Sequence, residues 1–212
     1  MSSTPDLFPG FAAARVAGDD DCEIFLRTGG AGPPLLLLHG YPQTHVCWHR
    51  IAPDLARRFT LVIPDLRGYG ASSAPEPDAA HLVYSKRAMA RDMVAVMAGL
   101  GHARFAVMGH DRGARVAYRL ALDTPAAVTA LAPLDILPTA EVWARLTAES
   151  AIGSYHWQFL AQPAPLPETL IGGDPAYYVR HTLASWTRPR DLSPFDDALC
   201  GEDACDRCDD GF

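Results

Sequence analysis

Four short runs of apolar residues, each bounded by polar or turn-forming residues, dominate the first two thirds of the chain. They lie at 35–40, 59–65, 104–111 and 128–136. Apolar runs of this length without regular alternation are typical of strands buried on both faces, as in a parallel sheet covered by helices. Two further segments at 14–16 and 22–27, separated by a Gly-Asp-Asp turn, predict a pair of half-buried strands before them.

Helical spacing appears between the strand-like runs. Apolar residues recur on one face from Met89 to Leu100, with Ser85 placed as an N-cap and Gly101 just beyond the end. A second amphipathic stretch follows Asp111 and stops before Pro125. Alternation of strands and helices predicts an α/β fold, with a mostly parallel sheet and right-handed crossovers.

The amino-acid composition of the chain changes near Leu137, where aromatic residues and prolines become frequent. We therefore predict an α/β core at 1–137, followed by a mostly helical cap segment at 138–190. The last stretch, 191–212, diverges in composition and is expected to be a disordered tail.

Polar stretches lie at the carboxyl ends of all four runs, and these stretches are the candidates for chemistry. They are HGYPQ at 39–43, DLRGYG at 65–70, GHDRG at 109–113 and LDI at 134–136. In an open parallel sheet the ligand site lies beyond the carboxyl ends of the strands. We therefore expect these stretches to meet at one crevice.

GHDRG has the spacing of a nucleophile elbow, with Asp111 where a serine hydrolase carries serine. A carboxylate held on such a turn can displace a leaving group from saturated carbon and form an ester that water later cleaves. The alternative is structural: an acidic residue before a helix often serves as an N-cap, here paired with Arg112.

Arg112 and Arg115 are three residues apart on the predicted helix, which places both guanidinium groups on one face. Two planar guanidinium groups, each able to donate two parallel hydrogen bonds, suit a substrate carboxylate. Together with an attacking carboxylate, they point to a substrate whose leaving group sits next to a carboxylate, such as a 2-haloacid. Arg115 as an ordinary solvated helix residue is the alternative.

With these motifs in place, the chain resembles the fluoroacetate dehalogenases, a haloacetate-cleaving branch of the α/β-hydrolase family. The resemblance runs from about FPGF at residue 8 to SWT at 185–187 and includes GHDRGARVAYRLALD, YHWQFLAQPAPLPE and GGDP. It implies hydrolysis of a haloacetate without a metal or organic cofactor. By resemblance, the catalytic residues are Asp111 as nucleophile and Asp135 as the acid that orients a histidine.

The resemblance also implies the substrate-binding residues. Arg112 and Arg115 bind the carboxylate, His156 and Trp157 donate hydrogen bonds to the halide, and Trp186 lines the pocket. The backbone amides of Tyr41 and Arg112 match the family's oxyanion hole. Simpler roles stay open: Asp135 could cap a turn, and His156 and Trp157 could be packing residues.

The chain departs from the family pattern at its end. The family places its water-activating histidine far downstream of Asp135, and no position of this sequence matches it. The final DDALCGEDACDRCDDGF is also unlike the family. We expect a truncated or frame-altered chain that lacks the last strands of the sheet, hydrolyses its ester slowly and leaves the strand at 128–136 with an open, association-prone edge.

Two rival functions remain open at this point. One is an epoxide hydrolase, which uses the same aspartate but protonates the opening ring with tyrosines of the cap. The arginine pair favours the dehalogenase. The other is a non-catalytic remnant that binds small carboxylates, a reading that the missing histidine favours.

Composition narrows the possible classes of function and cellular location further. Among 212 residues, 49% are hydrophobic and the formal net charge is -7, so the sequence carries no basic footprint for nucleic acid. No apolar stretch or leader predicts a membrane segment or export, so we expect a cytoplasmic protein, with a homodimer as one allowed assembly. Five cysteines do not suggest a disulfide framework, and the spacing of His45, Cys47 and His49 lacks a further ligand for a metal.

Overall fold

The computed structural model describes residues 6–193 and residue 195. It divides between Ile136 and Leu137 into two compact units. The strands, all in the first unit, are β1 Ala12–Ala17, β2 Glu23–Gly30, β3 Pro34–Leu38, β4 Thr60–Pro64, β5 Phe105–His110 and β6 Val128–Leu134. The helices of this unit are α1 Ala52–Leu55, α2 Lys86–Gly99 and α3 Arg112–Asp123. Most of the predicted tail at 191–212 lies outside the described residues.

The six strands form one sheet in the order β1-β2-β4-β3-β5-β6. β1 pairs antiparallel with β2, and β2 antiparallel with β4, whereas the β4–β3, β3–β5 and β5–β6 pairs are parallel. The chain runs from β3 to one neighbour, β4, and later returns to the other side of β3 as β5. The carboxyl ends of β3 and β5 are therefore the point where the strand order reverses, which is where open α/β sheets bind ligands.

Both faces of the sheet are covered, as the unbroken apolar runs predicted. Successive side chains of a strand point to opposite faces. Leu36 and Leu38 pack with the apolar faces of α2 and α3, while Leu35 and Leu37 pack with Phe8, Trp48 and the start of α1. All four leucines are at most 5% exposed, so β3 is the centre of the core.

The two predicted helices of the core are confirmed with their caps. The hydroxyl of Ser85 accepts a hydrogen bond from the Ala88 amide at the start of α2, and Gly101, with φ of +83°, follows its end. α3 begins directly after Asp111 and ends before the Thr124-Pro125 pair. The prediction of strand, helix and strand in alternation is therefore correct.

β6 is the last strand of the sheet among the described residues and pairs there only with β5. Leu131 and Leu134 of this strand are 39% and 38% exposed. The predicted open, apolar edge is thus present in the described part of the chain. Association through it remains a prediction.

The described part of the second unit, which begins at Leu137, is mostly helical. Its helices are α4 Thr139–Ala144, α5 Ala148–Gly153, α6 Tyr155–Leu160, α7 Leu166–Gly173 and α8 Pro175–Ser185. A capping box between Thr147 and Ser150 starts α5, and the carboxylate of Asp174 caps α8. Across the whole described region, no helix combines the length and apolar character needed to cross a membrane.

Candidate active site

The turn between β5 and α3 holds Asp111 in an unusual backbone conformation. Its φ and ψ are 48° and -117°, a region that residues with a Cβ rarely adopt. Conformations of this kind cost about 1–3 kcal/mol and persist where the surrounding structure enforces them, often at functional sites. The turn therefore has the geometry of the elbow that the GHDRG spacing predicted.

Three glycines allow the main chain to come close around this turn. A Cβ on Gly109 would lie 2.5 Å from the carbonyl carbon of Gly113, and one on Gly113 would overlap the carbonyl oxygens of Leu38 and His39. A Cβ on Gly40 would lie 2.6 Å from the Cβ of Asp111. The left-handed backbone angle belongs to Asp111 itself. The flanking glycines are therefore needed for the close approach of neighbouring main-chain segments and not for their own backbone angles.

The two carboxylate oxygens of Asp111 have different surroundings. Oδ1 accepts a hydrogen bond of 2.9 Å from the backbone amide of Tyr41, just beyond the end of β3. Oδ2 lies 3.6 Å from Nη1 of Arg115, and the Asp111 side chain is 28% exposed. One oxygen is thus held by a main-chain donor, while the other faces a guanidinium group. The predicted nucleophile is therefore not buried, and it lies beside Arg115, one of the two arginines predicted to bind the substrate carboxylate.

The two arginines are held in different ways. Nη1 of Arg112 donates to the hydroxyl of Tyr69 at 3.1 Å, and its guanidinium lies 4.5 Å from the centre of the Tyr41 ring. Burial disfavours the charged form of Arg112, but its interactions with Tyr69 and Asp111 outweigh this effect and raise its pKa. Arg115 is 7% exposed, and burial lowers its pKa. Arginine stays protonated under either influence, so two positive charges adjoin one negative charge.

His39 has a structural role. Its ring is fully buried, with Nδ1 3.0 Å from the Gly40 carbonyl and Nε2 accepting a 3.0 Å hydrogen bond from the Leu66 amide. Because Nε2 must accept this bond, the ring is the neutral tautomer that donates through Nδ1. Burial lowers the pKa of His39. Both ring nitrogens are engaged, so His39 ties the β3 turn to the segment after β4.

The DLRGYG stretch contributes less to the crevice than predicted. The buried carboxylate of Asp65 accepts from the His45 amide and ring at 2.7 and 2.9 Å. Burial raises the pKa of Asp65, but the hydrogen bonds and charge of His45 outweigh it and lower the pKa overall. Arg67 is also buried, in an ion pair with Asp92. Tyr69 of this stretch does contact a predicted site residue, Arg112. The sequence indicated this contact only through the position of the motif after a strand.

Asp135 follows β6 with a positive φ of 52°. Its side chain is exposed, and among the described residues its carboxylate forms no hydrogen bond or ion pair. The Asp111 amide donates to the Leu134 carbonyl at 3.3 Å, which fixes the end of β6 beside the elbow. The backbone thus places Asp135 one residue beyond this contact. Its role stays a prediction.

The remaining predicted site residues lie in the second unit and form two aromatic contacts. The rings of His156 and Trp186 are 4.8 Å apart, and those of Trp157 and Trp143 are 5.8 Å apart, both pairs edge to face. Trp186 is 42% exposed. Edge-to-face packing accounts for these orientations and leaves open the roles in halide and pocket binding.

No group of three histidine, cysteine, aspartate or glutamate side chains in residues 6–193 or at residue 195 is placed to hold a metal ion. His45, which the sequence placed near Cys47 and His49, instead directs its ring to Asp65.

Comparison with known proteins links this geometry to a family. Residues 33–197 match the sequence profile described as alpha/beta hydrolase fold. A fluoroacetate dehalogenase from a Burkholderia species is 47% identical over 180 residues, which are 85% of this chain and 59% of that protein. A soluble epoxide hydrolase from Corynebacterium sp. strain C12 is 41% identical over 111 residues, 52% of this chain and 37% of that protein.

A solved structure agrees with these relatives. The crystal structure of a protein from Nostoc sp PCC 7120, provisionally named an alpha/beta hydrolase, superposes with a TM-score of 0.87 at 50% identity. It covers 94% of this chain and 71% of the Nostoc chain. The chain thus spans about three fifths of the length of its dehalogenase relative and a smaller share of the epoxide hydrolase.

Proposed function

We propose, from the premise that this chain belongs to the alpha/beta hydrolase family, that it acts on haloacetates and that Asp111 is the nucleophile. The observation that carries the proposal is the setting of the Asp111 carboxylate, on a strained elbow with one oxygen held by the Tyr41 amide and the other beside Arg115. The Burkholderia relative named fluoroacetate dehalogenase supports the choice of substrate.

The two oxygens of Asp111 are assigned different tasks. Oδ2 attacks the carbon that carries the halogen, the new O–C bond forms as the C–halogen bond breaks, and the halide leaves with the bonding electrons. Oδ1 becomes the carbonyl oxygen of the ester. When water later attacks that carbonyl, negative charge develops on Oδ1, where the Tyr41 amide already donates a hydrogen bond.

The arginine pair supports a substrate that is itself an anion. Without Arg112 and Arg115, a haloacid carboxylate would approach the carboxylate of Asp111 against like-charge repulsion. Two guanidinium groups offset this repulsion and offer planar donors to the substrate carboxylate. We assign to Tyr69 and the ring of Tyr41 the task of orienting Arg112, since both contact it.

The departing halide needs hydrogen-bond donors, because fluoride is a poor leaving group in the absence of stabilisation. His156 and Trp157 carry ring N–H groups of the required kind, and Trp186 contacts the His156 ring. We propose the first two as halide donors and Trp186 as a pocket residue.

The second half of the reaction is hydrolysis of the ester. Water adds to the Asp111 carbonyl carbon, the ester C–O bond breaks, and glycolate and a proton are released as the carboxylate re-forms. A general base is typically worth about 10²–10⁴-fold in such a step. Because Asp135 pairs with no histidine among the described residues, we expect the ester of the 212-residue protein to persist.

The test is covalent trapping with fluoroacetate, whose C–F bond does not alkylate free thiols, so the five cysteines do not interfere. Intact-mass spectrometry should show one carboxymethyl group per molecule, with an equal amount of fluoride released and peptide mapping to Asp111. Asp111→Asn should form no such adduct. Asp123→Asn, which removes a carboxylate at the far end of α3, should react like the wild type. Folded wild-type protein that forms no adduct would contradict the proposal.

Epoxide hydrolysis is the second candidate, favoured by the Corynebacterium relative of that name. The same aspartate would then open an epoxide and carry a hydroxyalkyl ester. Parallel incubation with fluoroacetate and with styrene oxide separates the two: the arginine pair leads us to expect the carboxymethyl adduct. Because epoxides also alkylate thiols, a hydroxyalkyl adduct would assign the chain to epoxides only if it maps to Asp111 and is absent in Asp111→Asn. No adduct at Asp111 with either compound would favour a non-catalytic carboxylate-binding protein.

A further inference from the structure

Lys86 is a charged residue that the proposed mechanism does not use, although the fold places it beside the mechanism's residues. It is the first residue of α2, and Arg112 is the first residue of α3. α2 and α3 pack against each other, and each begins at the carboxyl edge of the parallel strands. The start of α2 thus adjoins the elbow at Asp111.

The ammonium of Lys86 lacks the partner that a partly buried cation ordinarily has. Its Nζ lies 3.5 Å from Sδ of Met89, a weak acceptor, and it forms no ion pair with a carboxylate among the described residues. The charged groups that act on it are Arg112, Asp111 and Arg115. Two of these three are positive, so the surroundings of Lys86 disfavour its charge.

Before an anion binds, the groups around Lys86 carry a net positive charge, and a bound carboxylate removes it. With Lys86 neutral, Arg112, Arg115 and Asp111 sum to one positive charge, which one substrate carboxylate cancels. With Lys86 protonated, the sum is two positive charges, and a carboxylate leaves one. An arriving anion therefore removes much of the repulsion that opposes protonation of Lys86.

We propose that Lys86 is a third cation of the carboxylate-binding site and takes up a proton when a small carboxylate binds between it and the two arginines. The inference rests on the proposed function, since it assumes that this cluster receives the substrate carboxylate. It adds a specificity-determining residue to that site, and it predicts how the affinity for a carboxylate changes with pH.

The electrostatics around Lys86 agree with this role. Burial, and then the charge of Arg112, lower the pKa of Lys86 from its usual 10.5 to about 7. About half of the molecules then carry a neutral Lys86 at pH 7, and a bound anion that favours the ammonium raises the pKa. Affinity for a carboxylate should consequently fall as the pH rises through 7.

The experiment measures the binding of acetate, an unreactive analogue of the substrate, by isothermal titration calorimetry. Titrations in buffers of different ionisation enthalpy give the number of protons taken up. For the wild type we expect about half a proton at pH 7 and close to none at pH 5.5, where Lys86 is already protonated.

Variants separate Lys86 from other groups that titrate near neutrality. Lys86→Met should bind acetate about tenfold more weakly at pH 6 and take up no proton at pH 7. Lys86→Arg should bind acetate without uptake, because arginine stays charged. Arg87→Gln, which removes the next positive charge of α2 from an exposed ion pair with Asp123, should match the wild type.

The outcomes distinguish this inference from the proposed function. Acetate binding by the wild type without proton uptake at pH 7, or with the same uptake in Lys86→Met, would overturn the role of Lys86 and leave the proposed function standing. A wild-type protein that binds no acetate at any pH would overturn the carboxylate site itself. Circular dichroism of each variant shows that the comparison is made between folded proteins.

Discussion

Asp111 keeps its strained backbone because close contacts around it leave no room for another arrangement. The turn passes so near the end of β3 that Gly113 lies against the Leu38 and His39 carbonyls, while Oδ1 of Asp111 accepts from the Tyr41 amide. The position of the carboxylate is thus set by main-chain packing and one hydrogen bond. A side chain introduced at the turn should lower both the stability of the fold and the reactivity of Asp111.

Gly113→Ala is expected to lower the free energy of unfolding by about 1–3 kcal/mol or more, as overpacked core sites do. The added methyl group must push apart main-chain atoms, which cannot rotate away as a side chain can. Urea unfolding followed by circular dichroism measures the change. Gly172→Ala is the matched control: a Cβ there meets no atom within 4 Å, and alanine in a helix is expected to be neutral or stabilising. Equal effects of the two substitutions would refute the close-packing explanation.

At the scale of elements, a buried ion pair joins parts of the first unit that are distant in sequence. Nε and Nη2 of Arg67 each donate to Asp92 at 2.6 Å, and Nη1 donates to the Val83 carbonyl at 2.9 Å. Asp92 also accepts from the Asp19 amide in the turn between β1 and β2. The segment after β4, the β1–β2 turn and α2 are therefore held at one point.

Asp92→Asn removes the charge but keeps the shape of the side chain. Because Arg67 is 2% exposed and would remain as an unpaired buried cation, we expect a loss of about 3–5 kcal/mol in the free energy of unfolding. Asp123→Asn is the control: its partners Arg87 and Arg119 have side chains that are 60% and 29% exposed, and solvated ion pairs contribute about 0–1 kcal/mol each. A loss for Asp92→Asn no larger than that of the control would mean that the buried pair is not a structural link.

At the scale of the whole molecule, the protonation of Lys86 couples the site to global stability. The pKa of Lys86 is about 7 in the folded protein, against 10.5 without the fold. Between these two values the unfolded chain binds more protons than the folded chain, so this residue makes stability rise with pH across that window. Below pH 7 the folded protein bears the full cost of the buried ammonium.

Lys86→Met removes this dependence. We expect the variant to be more stable than the wild type at pH 6 and its advantage to shrink steadily as the pH rises to 9, measured by urea unfolding at each pH. Taking the difference between the two proteins cancels the contributions of groups such as Cys22, whose pKa burial raises to about 11. A difference that does not change with pH would show that Lys86 has an ordinary pKa and is solvated.

Local patterns in the sequence determine the elements and their chemical candidates. The apolar runs, the Ser85 cap and the glycines around Asp111 each act through neighbours close in the chain, so the strands, α2, α3 and the elbow could be predicted with small errors at their ends. The motifs likewise indicated Asp111, Arg112 and Arg115, because their spacing along one turn and one helix decides their proximity.

Contacts between distant segments were decided only by the tertiary structure. Tyr69 lies 43 residues before Arg112, and Asp65 turned out to be buried with His45, although its place after β4 had suggested the crevice. The burial that shifts the pKa of Lys86 depends on how α2 packs on α3. The physical reason is common to all three: whether a polar side chain faces a site, a partner or the core depends on what the rest of the fold places beside it, and a one-dimensional pattern holds no such distances.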